Sequence, residues 1–241
     1  MRDRTIQRHV IPEVLDQLAA EPEHLDEELW DLRMFNLFTG ARWLVQECVR
    51  HSILRRPEQK AWTLLDVATG AADIPRHLVH WARRQGVALR VTATDLSDTT
   101  LEQARQRCSA YPEIQLARSD MRSLSESDES FDLVTCSQAL HHLGSEDVVC
   151  ALREMHRVAR QAVIASDVWR SRAGYWAVWF GVHVLPVSRA ARHDGPVSML
   201  NGFRVWELRE LGRQAGLHPP CLCRFRGLRF ALTWLKTPTA T

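Results

Sequence analysis

The sequence has few of the features that mark secreted, membrane-spanning or nucleic-acid-binding proteins. Its formal net charge is only +2 over 241 residues, so no strong overall field attracts nucleic acid. The longest apolar run, 173–187, is interrupted by His183 and Pro186 and is too short to span a bilayer. The first residues are charged and lack the continuous apolar stretch of a signal peptide. We therefore expect a cytoplasmic protein with no transmembrane segment and no nucleic-acid partner.

Metal-binding and redox signatures are also scarce. The six cysteines contain no CxxC pair, which is the spacing typical of zinc and thiol-redox sites. Cys221 and Cys223 are two apart, as in a packing pair on one face of a strand. His77 and His80 lie three apart on a predicted helix, but no third ligand accompanies them. We expect free thiols and no metal.

The hydrophobic pattern divides the chain into three zones. Residues 1–60 show helical spacing and are predicted to form an N-terminal helical cap. Residues 61–241 are predicted to form one domain, with 168–203 as a lid insertion. Strands are predicted at 62–67, 88–94, 114–117, 131–136 and 161–166, helices at 74–84, 97–108, 146–160, 172–185 and 204–215, and a hairpin around Gly227. This alternation predicts an α/β fold, a doubly wound, seven-stranded, mostly parallel sheet whose last strands are antiparallel.

The most informative segment is LLDVATGAADIP, residues 64–75. A buried strand brings Asp66 to its carboxyl end, and a turn of small residues leads into a helix, at the edge where doubly wound sheets bind ligands. A dinucleotide site requires G-x-G-x-x-G, whereas this loop has only Gly70. Asp73 also places negative charge where a pyrophosphate would lie. A cationic ligand without phosphate, such as S-adenosylmethionine, fits better.

Three further segments follow the next three strands. Asp95 ends the second strand, where a carboxylate can accept hydrogen bonds from ribose hydroxyls. Asp120 follows the third strand and can accept from an adenine amino group, with Met121 packing on the ring. Cys136 lies in TCSQALHHL after the fourth strand, which would line the methionine end of the ligand.

In this order and spacing, the four segments resemble those of class I S-adenosylmethionine-dependent methyltransferases, above all the ubiquinone/menaquinone-biosynthesis branch. The resemblance covers residues 60–167. The stretch from Asp167 to Phe203 is similar to bacterial methyltransferases of polyketide-type aromatic pathways. The resemblance implies S-adenosylmethionine as cofactor, bound by Asp66, Ala68, Gly70, Asp95, Leu96, Asp120, Met121 and Cys136. Ala72 replaces the last glycine of the family's loop, and this costs about 1 kcal/mol if position 72 has a positive φ.

The methyl acceptor is less well defined. Candidate general bases are His141 and His142, which have pocket-lining or structural roles as the alternative, and Asp167 after the fifth strand. His193 beside Asp194 is a further candidate, with a salt bridge in a loop to Arg192 or Arg189 as the alternative.

The aromatic segment 175–180 is compatible with core packing, a substrate lid, or a membrane or dimer contact.

These observations predict that the protein methylates an oxygen or carbon atom of a small phenolic, quinol or polyketide-derived molecule. They are also compatible with a homodimer. One alternative is an RNA-directed methyltransferase, for which the only support is the cluster of Arg224, Arg226 and Arg229. The adenine-methylation signature N-P-P-[YFW] is absent after the fourth strand. The other alternative is a protein that retains the fold and binds the cofactor without catalysis.

Overall fold

The computed structural model describes residues 8–13, 40–185, 187–220 and 222–236. These residues form a seven-stranded sheet with helices on both faces. The strands are β1 (Ala61–Val67), β2 (Ala88–Asp95), β3 (Ile114–Arg118), β4 (Phe131–Ser137), β5 (Ala159–Val168), β6 (Leu222–Arg226) and β7 (Arg229–Leu235). The helices are α1 (Ala41–Leu54), α2 (Asp73–Gln85), α3 (Asp98–Cys108), α4 (Ser145–Val158), α5 (Arg172–Val184), α6 (Arg189–Asn201) and α7 (Val205–Gln214), and a 3-10 turn covers Leu140–His142.

The strand order is β3-β2-β1-β4-β5-β7-β6. Strands β1 to β5 are parallel to one another, whereas β7 runs antiparallel to both β5 and β6. This arrangement confirms the predicted fold class. Because the order reverses between β1 and β4, the connections that follow these two strands diverge and leave a crevice at the carboxyl edge.

The two faces of β1 supply the two halves of the core. Trp62 and Leu64 pack in one cluster with residues of α1 and α2. Leu65 and Val67 pack in the other cluster with residues of α4 and α7. Successive side chains of a strand point to opposite faces, so a strand that is buried on both sides reads as the unbroken apolar run seen in the sequence.

Several element boundaries follow from local chemistry. Ser97 caps α3, as predicted, because its side chain accepts a hydrogen bond from the backbone N–H of Thr100 (3.2 Å). The helix predicted to run to residue 160 ends instead at Val158. Ala159 already pairs with Phe131 of β4, and Arg160 forms an ion pair with Asp132 at 2.7 Å, so sheet pairing takes over these residues.

Helix α6 was not predicted. Its sequence contains Gly195 and Pro196, two residues that disfavour helix interiors. Packing explains the result, because a Cβ at Gly195 would lie 3.1 Å from Val178 and 3.2 Å from Val182 of α5. The glycine therefore lets the two helices approach closely. His193 and Asp194 consequently lie on a helix, and the expectation of a loop is wrong.

The predicted helical cap is described only in part. Helix α1 belongs to it, and Gly40, with φ +72°, precedes the helix as its N-cap. Residues 1–7 and 14–39 of the cap, and the predicted strand residue Cys221, lie outside the described residues. Among the helices that are described, none combines the length and the hydropathy needed to cross a bilayer.

Candidate active site

The loop after β1 turns sharply by using left-handed backbone at alternate residues. Ala68, Gly70 and Ala72 have φ values of +53°, +57° and +57°. Ala72 is the N-cap of α2, so the condition stated for position 72 is met. An alanine with a left-handed backbone is less stable than a glycine there by about 1 kcal/mol. Of the three positions, only position 70 has a glycine, the residue that favours this conformation.

Asp95 links the end of β2 to this loop. The Gly70 N–H donates to Asp95 Oδ2 (2.9 Å), and the Ser97 N–H donates to Oδ1 (3.0 Å). Each carboxylate oxygen can accept a second hydrogen bond. Asp95 therefore fixes the loop and still has acceptor capacity for a pair of hydroxyl groups.

Asp66 is a buried carboxyl at the junction of β1 and β4. It accepts hydrogen bonds from the hydroxyls of Thr135 (2.6 Å) and Thr69 (2.7 Å). Burial raises the pKa of Asp66 to about 6, although both threonine hydrogen bonds lower it, and the Asp95 carboxyl raises it further. A cationic group placed beside Asp66 would favour its ionised form.

Asp120 lies in the turn after β3 and is already paired. Arg122 donates to both of its oxygens, with distances of 2.7 to 3.1 Å, and this contact lowers the pKa of Asp120. Met121 packs against the core cluster below the turn. Asp120 therefore reaches a ligand only if it shares its oxygens with Arg122.

The other two predicted cofactor residues differ in exposure. Leu96, directly after Asp95, has a side chain that is 54% exposed, which is unusual for a large apolar residue and suits a flat ring beside the ribose position. Cys136 is fully buried in the core cluster. One residue further on, the Ser137 hydroxyl has no hydrogen-bond partner among the described residues.

The edge built by these residues fits S-adenosylmethionine. A Cβ added at Gly70 would meet nothing within 4 Å, so the space above the loop is open. The exposed Leu96, the Asp95 acceptors and the buried Asp66 carboxyl are groups suited to an adenine ring, a ribose and a cation. No basic residue of a phosphate site occurs between Asp66 and Asp73.

His141 lies at the centre of a buried ion network beside this edge. Its Nδ1 is 2.7 Å from Asp167 Oδ1, and its Nε2 is 3.5 Å from Glu13 Oε1. Burial would lower the pKa of His141, but the two carboxylates outweigh burial and raise it to about 10. His141 is therefore protonated at neutral pH and cannot accept a proton as a general base.

The same residues form the one grouping with metal-ligand chemistry found among the described residues. Ligand atoms of Glu13, His141 and His142 lie within 4.8 Å of one another. In this structure His141 joins the Glu13 and Asp167 carboxylates in an ion-pair network.

The other two candidate histidines are more accessible. The ring of His142 stacks on that of His141, with centroids 4.2 Å apart, and is partly exposed. His193 on α6 is 53% exposed, and its Nδ1 lies 2.8 Å from Asp194 Oδ1.

Glu13 was missed because it is distant from the other site residues in sequence. Residues 8–13 dock on the end of α6, where the Asn201 side chain exchanges two hydrogen bonds with the backbone of Ile11 (3.0 and 2.8 Å). Ser198 of the same helix donates to Glu13 Oε1 (2.7 Å). No local pattern indicates such contacts, which depend on the fold.

Comparison with known proteins agrees with the geometry. Residues 64–162 match the family model described as a methyltransferase domain. Over 111 residues the chain is 34% identical to a demethylmenaquinone methyltransferase of Staphylococcus epidermidis, which covers 46% of this chain and 44% of that protein. Over 96 residues it is 33% identical to a 2-phytyl-1,4-naphtoquinone methyltransferase of Thermosynechococcus vestitus, with 40% of each covered. The chain thus matches less than half the length of these curated relatives.

Solved structures support the fold. The chain is similar to a SAM-dependent methyltransferase from Aquifex aeolicus, with a TM-score of 0.54, 16% identity, and 76% of this chain and 88% of that chain covered. It is also similar to magnesium protoporphyrin IX methyltransferase from Synechocystis PCC 6803 with bound SAH, with a TM-score of 0.56, 14% identity, and coverages of 80% and 82%.

Residues 64–162 thus match a methyltransferase domain, and the sheet has the fold of the solved S-adenosylmethionine-dependent methyltransferases that it resembles. Over the matched segment, the curated relatives quoted above are quinone methyltransferases. The predicted fold class is confirmed, and the match to a methyltransferase domain agrees with the predicted cofactor.

Proposed function

We propose that the protein transfers a methyl group from S-adenosylmethionine to a carbon or oxygen atom of a small quinol or phenol. The observation that carries the proposal is the likeness to two quinone methyltransferases across the strands that build the crevice. The open space above Gly70 is compatible with it, because the chain leaves room where the cofactor of this class would lie.

On the donor side, each residue has one task. When bound, S-adenosylmethionine supplies an electrophilic methyl group on a sulfonium. Asp95 accepts hydrogen bonds from the ribose, Leu96 packs on the adenine, and Asp66 attracts the cationic methionine end. These residues would hold the cofactor in one orientation, and alignment of the reacting groups contributes to the rate of a displacement.

On the acceptor side, a proton must leave as the new bond forms. A phenol has a pKa near 10, so it benefits from a base, whereas an activated carbon nucleophile needs less help. Because His141 is held protonated, we assign proton acceptance to His142, whose partly exposed ring lies next to the network. His193 is the alternative, positioned by Asp194.

The structure gives the RNA-directed alternative less support than the sequence does. Its basic cluster included Arg229, which is buried. Arg224 and Arg226 remain on β6, the edge strand of the sheet, and this is a narrow surface for a polyanion.

The proposal is tested by incubating the purified chain with S-adenosylmethionine labelled in the methyl group and, separately, a naphthoquinol, a simple phenol and a tRNA. We expect label in the naphthoquinol or the phenol. His142→Asn is expected to slow transfer to the phenol by roughly tenfold, whereas His80→Asn, on the exposed part of α2, should leave the rate unchanged.

Two results would contradict the proposal. Label found only in the tRNA would make the protein an RNA methyltransferase. Heat of cofactor binding without label in any acceptor would make it a binding protein that has lost catalysis.

A further inference from the structure

Helix α5 presents an aromatic and aliphatic face to solvent. Trp176, Phe180 and Val184 are 59%, 64% and 64% exposed, and Trp179 and Leu185 are exposed as well. The four residues of this set that belong to α5 are three or four positions apart, so they lie on one side of the helix. We call residues 176, 179, 180, 184 and 185 the α5 face. Exposed apolar patches of this kind mark interaction sites.

The orientation of this face is fixed by packing on the other side of the helix. Gly174, Val178 and Val182 are buried, and the two valines pack in a cluster with Met199 of α6. A rotation of α5 that hid the aromatic residues would expose these side chains. Among the described residues the α5 face is therefore exposed, whereas the opposite side of the same helix packs in a core cluster, as one of the expectations for this segment had it.

The exposed charges in the sequence around this face have a single sign. Between Val168 and His193 there are four arginines and no aspartate or glutamate, and of the four only Arg170 is buried, where it pairs with Glu207. Arg172 is exposed four residues before Trp176, on the same side of the helix, and Arg189 and Arg192 are exposed at the start of α6. Arginines beside an apolar helix face are typical of helices that lie in the interface of a membrane containing anionic lipid.

A second copy of the chain fits this surface less well. A two-fold contact would bring the same patch against itself, and the arginines of one copy would then approach those of the other with no carboxylate in the segment to pair with them. An anionic bilayer surface satisfies both features at once, because it accepts the aromatic side chains and attracts the arginines.

We propose that the α5 face binds the surface of a bilayer that contains anionic lipid, with the helix lying flat and its aromatic side chains inserted at the headgroup level. Helix α5 begins shortly after Asp167, which contacts His141. The domain would thus bind with its acceptor side next to the membrane, where an apolar quinol would be dissolved. The bilayer contact itself does not depend on which acceptor is used.

The test is sedimentation of the full chain with vesicles of phosphatidylcholine alone or of phosphatidylcholine with phosphatidylglycerol. We expect binding to the anionic vesicles that weakens as salt rises to about 0.5 M, where electrostatic attraction is screened within a few ångströms. The variant Trp176→Ser/Phe180→Ser should lose at least about tenfold in partitioning. Trp206→Ser is the matched control, because Trp206 is 65% exposed but lies on α7, and it should partition like the wild type.

A second variant keeps the test valid if the Trp176→Ser/Phe180→Ser variant does not fold. Arg189→Gln/Arg192→Gln changes only exposed side chains and should weaken binding to anionic vesicles severalfold. Wild-type protein that does not sediment with anionic vesicles would overturn the proposal, as would equal partitioning of all the variants. A dimer in solution that the Trp176→Ser/Phe180→Ser variant dissociates would assign the face to a second copy. A large loss of Tm in that variant with unchanged partitioning would assign it to contacts within the chain.

Discussion

Replacing His141 by leucine is expected to destabilise the fold by about 3–5 kcal/mol, the cost of removing one partner from a buried ion network. Asp167 is fully buried, and Glu13 is 4% exposed. Without the imidazolium, both carboxylates would stay buried with their main cationic partner gone. Urea denaturation of the wild type and the variant measures the difference.

A pair with one exposed member provides the control. His193→Leu removes one partner of Asp194 from a pair of nearly the same length, 2.8 Å, but with the imidazole half exposed. Solvent screens this pair, so its loss should cost less than about 1 kcal/mol. Combining His141→Leu with Asp167→Asn should recover part of the loss, because one of the stranded charges is then removed. Equal effects of the two single leucine variants would show that the buried network is not ionised.

The same network predicts a dependence of stability on pH. The folded-state pKa of His141 is raised from 6.5 to about 10, so its contribution is complete below pH 6.5 and is lost as the pH rises toward 10. The pKa values of Asp167 and Glu13 are lowered, by His141 against the opposing effect of burial, so their contributions are lost as the pH falls below their ordinary values. The free energy of unfolding should therefore decline from pH 7 to 10 in the wild type and decline less in His141→Leu.

Asp95→Ala is expected to weaken S-adenosylmethionine binding by about 100-fold. Each hydrogen bond from a ribose hydroxyl to a carboxylate contributes about 1.5 kcal/mol or more, and the loss of two such bonds corresponds to roughly this factor. Asp95 also holds the Gly70 N–H at 2.9 Å, so the loop that shapes the crevice is loosened as well. Calorimetric titration of the cofactor measures the change.

Asp98→Ala controls for the loss of one negative charge in this region. Asp98 is three residues away, and its exposed side chain forms an ion pair with Arg118 at 3.3 Å. Its removal should leave the affinity within about twofold, because solvent screens exposed charges. An Asp95→Ala protein that binds like Asp98→Ala would place the ribose elsewhere.

The parts of the fold that follow from local patterns were predictable. The two-sided burial of β1 appears as an apolar run, and the N-cap of α3 as a serine before an acidic first turn. By contrast, α6 contains Gly195 and Pro196, and it is helical because Gly195 lets it pack closely against α5. In such a segment, packing between helices outweighs the low helix propensity of its residues. The local sequence of α6 does not reveal its contacts with α5.

The candidate site divides in the same way. Asp66, Gly70 and Asp95 could be placed together because parallel strands end at one edge of the sheet. The pairing of Asp120 with Arg122 could have been suspected from their spacing of two. The enclosure of His141 by Glu13 and Asp167 could not, since these carboxylates come from distant parts of the chain. That enclosure determines whether His141 is a base or a fixed cation.

The account rests on the cofactor filling the space above Gly70, and titration of S-adenosylmethionine into wild type, Gly70→Ala and Gly86→Ala tests this most directly. Both glycines have positive φ, +57° and +66°, and at neither would a Cβ meet any atom within 4 Å. The backbone cost of the two substitutions should therefore match. We predict that wild type and Gly86→Ala bind alike and that Gly70→Ala binds at least about tenfold more weakly, because its methyl group occupies the ligand's space. Equal affinity in all three proteins, or no binding by the wild type, would contradict the account.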